Sequence, residues 1–243
     1  MRTWEMTDRG MVRKENQDAY DVRLIAGYTS AVVCDGMGGT FGGRLASTTA
    51  AEIYQRELEQ RLRRGMTVQQ LVQVLHESIS AANDVVRSKA AEDPILEHMG
   101  TTLVSALVEK NTAVVANVGD SRAYQINRSG IHQISRDHSV VADMVESGEL
   151  TEEEARTHPR RNLITRALGP DDPVQADTFE VALQQGEFLL LCSDGLVNTV
   201  SDQEILFEVL HNGEPDSCLE RLVALSKQRG APDNVTAVLL MNM

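Results

Sequence analysis

A chain of 243 residues with 42% hydrophobic side chains is long enough to bury a substantial core within one domain. Its 36 acidic against 23 basic residues leave a formal charge of −13 with no basic stripe, which argues against a nucleic-acid partner. No apolar run reaches the roughly 18 residues of a membrane span, the N-terminus lacks a signal-like apolar region, and three cysteines in apolar or helical settings make no disulfide framework. The expectation is a soluble cytoplasmic protein.

In chain order, the first clear strand is the apolar run at 31–34, which leads into Asp35. A helix is expected over about 44–64, closed by Gly65 at the C′ position. Thr67-Val68-Gln69-Gln70 matches a capping box and opens a second helix. Its apolar residues Val68, Leu71, Leu75, Ile79, Ala82 and Val86 step by three and four, so one face is buried. Strands follow at 102–108, 113–118, 122–126 and 131–134 with no helix between them. The connections at 109–111 and 127–130 are of hairpin length and make the strands they join antiparallel. A polar, arginine-rich segment at about 137–172 interrupts the pattern, with a short helix starting at Thr151-x-x-Glu154. A strand at 188–192, capped helices at Ser201-x-x-Glu204 and Ser217-x-x-Glu220, and a last strand at 235–241 complete the chain. Strands grouped apart from helices indicate an α+β fold, and the absence of linker, repeat or low-complexity sequence indicates a single domain over 1–243.

Four of the apolar runs deliver an aspartate at one end: Asp35, Asp120, Asp194 and, just before the last run, Asp233. A carboxylate beside a hydrophobic core loses hydration that a cation or dense hydrogen bonding must replace. Any one of them alone reads as a turn or N-cap residue; four together suggest a shared negative cluster that holds metal. The six histidines are scattered, with no H-x-x-x-H or C-x-x-C. Oxygen-only coordination suits Mg²⁺ or Mn²⁺ rather than structural zinc. The glycines after Asp35 let the backbone turn sharply and expose carbonyls; Phe41 breaks G-x-G-x-x-G and no Walker lysine follows, so this is not a nucleotide loop. Upstream, Arg9 and Arg13 precede Asp18. An arginine beside a metal–carboxylate site suits a bound phosphate, because its planar fork makes bidentate bonds; the plainer alternative is a solvated turn charge.

The segments Thr7-Asp8-x-Gly10-x-x-Arg13-x-x-Asn16-Gln17-Asp18-Ala19, Val33-x-Asp35-Gly36-Met37-Gly38-Gly39, Met99-Gly100-Thr101-Thr102, Asn117-Val118-Gly119-Asp120-Ser121-Arg122, Asp137-His138-Ser139, Ile164-Thr165-Arg166-Ala167-Leu168-Gly169, Leu191-Cys192-Ser193-Asp194-Gly195-Leu196 and Asp233-Asn234-Val235-Thr236 follow one another in order. This set resembles the motifs of bacterial metal-dependent (type 2C, PPM) protein serine/threonine phosphatases, over nearly the whole chain. The resemblance implies a four-layer α-β-β-α sandwich of two antiparallel sheets flanked by helix pairs, with a dinuclear centre at one end. It implies that Asp35 bridges two ions and that the Gly36 carbonyl completes one of them. Asp194 and Asp233 would hold the second, and Asp120 with Asp194 a third, weaker ion. Asp18 would lie near the pair through water, and Arg13 would grip the phosphate. It further implies hydrolysis by water activated between the two Mg²⁺ or Mn²⁺ ions, phosphorylated proteins as substrates, and an opposing bacterial Ser/Thr kinase; no oligomeric state is read from it.

The chain departs from some relatives at three positions. Met37 stands where some carry a histidine serving as general acid, with Thr40 where others carry one shortly after the glycines, and Gln17 stands where others have glutamate. The segment at 137–172 resembles a flap beside the catalytic mouth, and Arg160 and Arg161 within it are candidate readers of the residues around the phosphorylated side chain. Cys34, Cys192 and His138 read as structural. A catalytically silent phosphoprotein-binding regulator on the same scaffold is the main alternative; a fused stress-response phosphatase and a nucleotide phosphodiesterase fit the length and charge less well.

Overall fold

The computed structural model describes residues 1–211 and 215–243; the side chains of Thr40, Phe41 and Pro215 lie outside the described residues. Eleven strands in this set form two antiparallel sheets. The first sheet orders β1 (Arg2–Asp8), β11 (Val235–Met241), β10 (Phe188–Cys192), β7 (Arg122–Asn127) and β8 (Gly130–Gln133) side by side. The second orders β2 (Asp18–Ile25), β3 (Tyr28–Met37), β5 (Leu103–Glu109), β6 (Thr112–Val118) and β9 (Asp177–Ala182), with the short β4 (Gly100–Thr101) paired to the end of β3.

Each central strand is buried on both faces, which is why its sequence runs apolar without alternation. In β3, Ala31 and Val33 face the other sheet while Val32 and Cys34 face helices. In β10, Leu189 and Leu191 fill the space between the sheets, and Leu190 and Cys192 turn outward to helices. The strand period of two thus divides each apolar run between two cores. Helices α1 (Gly39–Arg61) and α2 (Val68–Glu92) cover the second sheet through Tyr54, Leu58, Leu75 and Ile79. Helices α6 (Asp202–Leu210) and α7 (Cys218–Gln228) cover the first through Ile205, Val209, Leu222 and Val223. The result is the expected α-β-β-α stack.

Local chemistry sets several boundaries. Thr67 and Gln70 form the reciprocal capping box that opens α2, and Thr151 and Glu154 form another at α4 (Glu152–Thr157). At α6 the Glu204 carboxylate accepts from both the N–H and the hydroxyl of Ser201. The β2–β3 hairpin turns on Ala26 and Gly27, both at positive φ as a two-residue turn requires.

Other expectations need correction. Helix α1 begins at Gly39 and ends at Arg61, so the glycine run is absorbed into its first turns and Gly65 sits beyond its end rather than at C′. Ser217 does not cap α7; its hydroxyl accepts from Arg221 instead. Strands β1 and β9 gave no apolar run because both are edge strands with mixed exposure. The segment at 137–172 contains, besides α4, the helix α3 (Val140–Glu146), which Ser139 caps. Strands β6 and β7, adjacent in sequence, belong to different sheets.

The 137–172 segment is anchored to α2 by one buried amide. Asn83 donates to the Asp171 carbonyl (2.9 Å) and accepts from the Gly169 N–H (2.7 Å), where Gly169 takes φ +104°. Asn83→Ala strands both backbone groups and should lower stability by about 1–3 kcal/mol. Urea unfolding followed by circular dichroism measures this, and a change within error would show that water replaces the amide.

Candidate functional site

Two of the connections that pass between the sheets lie at one end of the sandwich, and the acidic residues lie on them or at the strand ends beside them. Residues 9–17 lead from β1 to β2 and carry Arg13; residues 119–121 lead from β6 to β7 and carry Asp120. Asp194 opens the short helix α5 (Asp194–Val197) directly after β10, and Asp233 precedes β11. Asp35 lies within β3, two residues short of its end, rather than past it. Asp18, the first residue of β2, is its direct cross-strand partner. Like charges placed opposite each other repel, so this pair alone demands a counter-charge or a proton.

Close backbone approach holds the segments together. A Cβ on Gly195 would lie 1.9 Å from the Asn234 carbonyl, and one on Gly36 would lie 2.1 Å from that of Gly43. Only glycine admits these contacts, which seat Asp194 against the Asp233 turn and Asp35 against the start of α1. Asn234 clamps the N-terminal loop: its amide donates to the carbonyls of Arg9 and Glu15 (both 2.9 Å) and accepts from the Gln17 N–H (2.8 Å). Thr102 fixes Asp35, its hydroxyl accepting the Asp35 N–H at 2.9 Å.

These residues surround a cleft of about 530 Å³ lined by Arg13, Asp35, Gly36, Asp120, Asp194 and Asp233, with Met37, Thr102 and Asn234. Five of the six proposed metal residues and the proposed phosphate arginine therefore meet at one cavity. Asp18 opens instead onto a shallow hollow beside Tyr20 and Arg44. It is joined to the cluster from beneath, where Ser193 Oγ donates to its Oδ2 at 2.8 Å. Arg160 and Arg161 are exposed and do not line the cleft; from their segment Asn162 and Ile164 do. Lys14, Glu15 and Gln17 complete the rim.

The electrostatics follow from burial. Loss of hydration pushes Asp18 up to about 7 and Asp120 up to about 8, and raises Asp35 and Asp194, with neighbouring carboxylates adding to the shift. The Asp194 carboxylate lies close enough to raise Asp35 further by repulsion. Arg13 Nη2 pairs with Asp233 Oδ2 at 2.6 Å. Two buried carboxylate oxygens, Asp18 Oδ1 and Asp194 Oδ1, have no partner. Orphaned buried oxygens in a set of crowded carboxylates suit hard divalent cations. Among the described residues, however, no three His, Cys, Asp or Glu side chains converge as a ready-made chelate; the carboxylates line an open cleft rather than a closed cage.

Sequence reasoning missed the supporting residues. Asn234, Ser193 and Thr102 all stand within motifs quoted for their aspartates, and that adjacency was the available signal. Asn162 carried none. The three cysteines are buried free thiols, those of Cys192 and Cys218 pushed up to about 12 by burial, which leaves them inert.

The protein phosphatase 2C family profile matches residues 11–232. The serine/threonine phosphatase Stp of Listeria monocytogenes is 35% identical over 236 residues, covering 96% of this chain and 93% of that protein. Protein phosphatase PhpP of Streptococcus pneumoniae is 34% identical over 237 residues, covering 97% and 95%. The crystal structure of serine/threonine phosphatase Stp1 from Staphylococcus aureus superimposes with a TM-score of 0.93 at 37% identity, covering 99% of this chain and 94% of that one. With two antiparallel sheets between helix layers and an acidic cleft where the sheets exchange strands, this chain belongs to the protein phosphatase 2C family and is a protein-serine/threonine phosphatase.

Proposed function

We propose that residues 1–243 form one phosphatase domain whose cleft binds two Mg²⁺ or Mn²⁺ ions, with a weaker third, and hydrolyses phosphoserine and phosphothreonine in proteins. The observation that carries this reading is the pair of partnerless oxygens, Asp18 Oδ1 and Asp194 Oδ1, among crowded carboxylates next to a guanidinium. Asp35, the Gly36 carbonyl, Asp194 and Asp233 would hold the two ions, Asp120 with Asp194 the third, and Asp18 would stand behind the pair. When bound, such ions supply Lewis-acid stabilisation and acidify water near neutral pH.

The chain's own residues do the rest. A guanidinium has five N–H donors, so Arg13 can keep its contact with Asp233 and still present a fork to phosphoryl oxygens as charge develops on them. Among the described residues of the cleft only Thr102 bears a hydroxyl, which is occupied by Asp35 N–H and Ser121, and none of them is a histidine. With the aspartates taken up in holding cations, the phosphoryl group would pass to water without a phosphoenzyme. The Met37 thioether has no proton to give, so no side chain is assigned as general acid. The 137–172 segment would act as a flap at the mouth. The counterpart enzyme would be a Ser/Thr protein kinase in the same cytoplasm. Among the described residues no helix is long and apolar enough to cross a membrane. A silent phosphoprotein-binding regulator is the alternative that turnover of p-nitrophenyl phosphate with and without Mn²⁺ distinguishes.

The deciding experiment is a metal-titrated assay on phosphoserine and phosphothreonine peptides. Asp35→Asn should reduce kcat by roughly 10²–10³ or more, the scale for removing one preorganised electrostatic group. Arg13→Ala should instead raise KM by roughly ten- to hundredfold, the scale of a charge-assisted hydrogen bond. Near-normal turnover by Asp35→Asn would falsify the site.

Without cation, the four buried carboxylates hold protons more tightly folded than unfolded. Their stabilisation is complete below about pH 4 and is lost as pH rises through about 7 for Asp18 and about 8 for Asp120. His138, lowered chiefly by burial, works the other way, gaining stability through its own titration, but it is one group against four. In EDTA the melting temperature should fall between pH 5.5 and 8, and Mg²⁺ should restore it at pH 8. A melting temperature that rises over that interval, or ignores Mg²⁺, contradicts the assignment.

Arg160 and Arg161 adjoin the cleft-lining Asn162, and we infer that they contact the protein around the phosphorylated residue. Reversing both charges should change kcat/KM for phosphopeptides more than for p-nitrophenyl phosphate. Equal effects on both substrates would rule that role out.

A further inference from the structure

One buried histidine joins the 137–172 segment to the turn that carries Asp120. His138 is 3% exposed, and its hydrogen bonds define its tautomer. The Gly119 N–H donates to Nδ1 at 3.1 Å, so the ring proton sits on Nε2, which faces Asp177 Oδ2 at 3.2 Å. Arg166 braces that side, 2.9 Å from Asp177 Oδ1 and 3.2 Å from Nε2. The His138 backbone repeats the link: its N–H donates to the Gly119 carbonyl (2.9 Å), and its carbonyl accepts from Thr165 (2.8 Å). Gly119 is thus bonded twice to the residue at the root of the segment.

The turn is held from its other side as well. Gly119 takes φ +101°, and a Cβ there would lie 2.6 Å from Thr102 Cγ2. The Thr102 hydroxyl bonds Ser121 at 2.7 Å and accepts from Asp35 N–H. Asn117 Nδ2 donates to both the Gly119 and Arg136 carbonyls. Residue 120 is therefore set between Thr102, which also orients Asp35, and His138, which belongs to the flap. No phosphate or cation role for the imidazole fits, since both ring nitrogens are occupied by protein partners.

We propose that His138 is a positioning residue, coupling the 137–172 segment to Asp120 through the Gly119 N–H, so that the segment and the Asp120 carboxylate move as one unit. This rests on the reading of Asp120 as a cation-facing carboxylate. Outer partners of a ligand group commonly tune cation affinity ten- to hundredfold. Here the partner acts on backbone one residue away, with its orientation supplied by Asp177 and Arg166.

The test is calorimetric titration of Mn²⁺ into the chelator-stripped full chain, with thermal unfolding in EDTA as the check on folding. Asp120→Asn should remove the weakest binding step. His138→Gln keeps a donor for Asp177 but no acceptor for Gly119, and should weaken that same step roughly ten- to hundredfold. His138→Asn, whose amide oxygen can sit where Nδ1 sits, should recover most of the loss. If Asp120→Asn changes the isotherm and His138→Gln does not, the coupling is wrong while the site stands; if Asp120→Asn changes nothing, the site reading falls and the coupling with it. Equal losses in His138→Gln and His138→Asn also overturn the route through Gly119. Should His138→Gln lose its cooperative unfolding transition, Asp177→Ala, which removes the ring's anchor, decides: a weakened step supports the coupling and an unchanged one refutes it.

Discussion

Asp18 and Asp35 stand opposite each other on adjacent strands, Asp194 lies near enough to repel Asp35, and Asp194 is seated against the turn that carries Asp233. Confining this much negative charge at the end of a hydrophobic sandwich is the constraint to which the surrounding structure responds. Desolvation and mutual repulsion both favour protonation, so in the absence of cations these groups hold protons far above the usual carboxylate range. Ser193 and Asn198 supply hydrogen bonds, and Arg122 supplies a half-buried positive charge, itself held by Asp137. They relieve the strain without removing it. A fold that keeps such a cluster gives up local stability, a loss that the proposed divalent ions would offset.

The sandwich makes this confinement possible because its two sheets are stitched together at the acidic end. The chain crosses from one sheet to the other through 9–17 and through 119–121, and each crossing carries a charged residue into the gap. Hydrogen bonds then tie one sheet to the other there: Ser193 of the first reaches Asp18 of the second, and Asn234 holds the loop that joins β1 to β2. Burial on both faces of β3, β10 and β11 makes the frame rigid. The loops add shape: Arg13 from one side, Asn162 and Ile164 from the other.

Much of the fold could be read from the chain. The α2 capping box and its three-and-four apolar spacing predicted that helix well, and the two short hairpin connections paired β5 with β6 and β7 with β8. Edge strands β1 and β9 escaped because an edge needs no continuous apolar run. The start of α1 escaped because glycines there argue against a helix on propensity, while the tertiary contacts at Gly36, Gly42 and Gly43 require them. The aspartates announced themselves by ending apolar runs, and Arg13 by its motif. Asn234 and Ser193 did not, since each bonds residues far away in sequence, and Asn162 did not, since only the fold brings it to the cleft.

The amino-acid sequence determined which side chains could do the chemistry and which segments would be strand or helix, because both follow from residue type and local periodicity. The tertiary structure alone decided that β6 and β7 part into different sheets, and that Asp18 approaches the cluster from behind rather than from the cleft. It also decided that His138 is bonded to Gly119 rather than to substrate. Those outcomes depend on which strands share hydrogen bonds and how closely backbones meet. Such distances arise from the packing of the whole chain, and no local pattern encodes them.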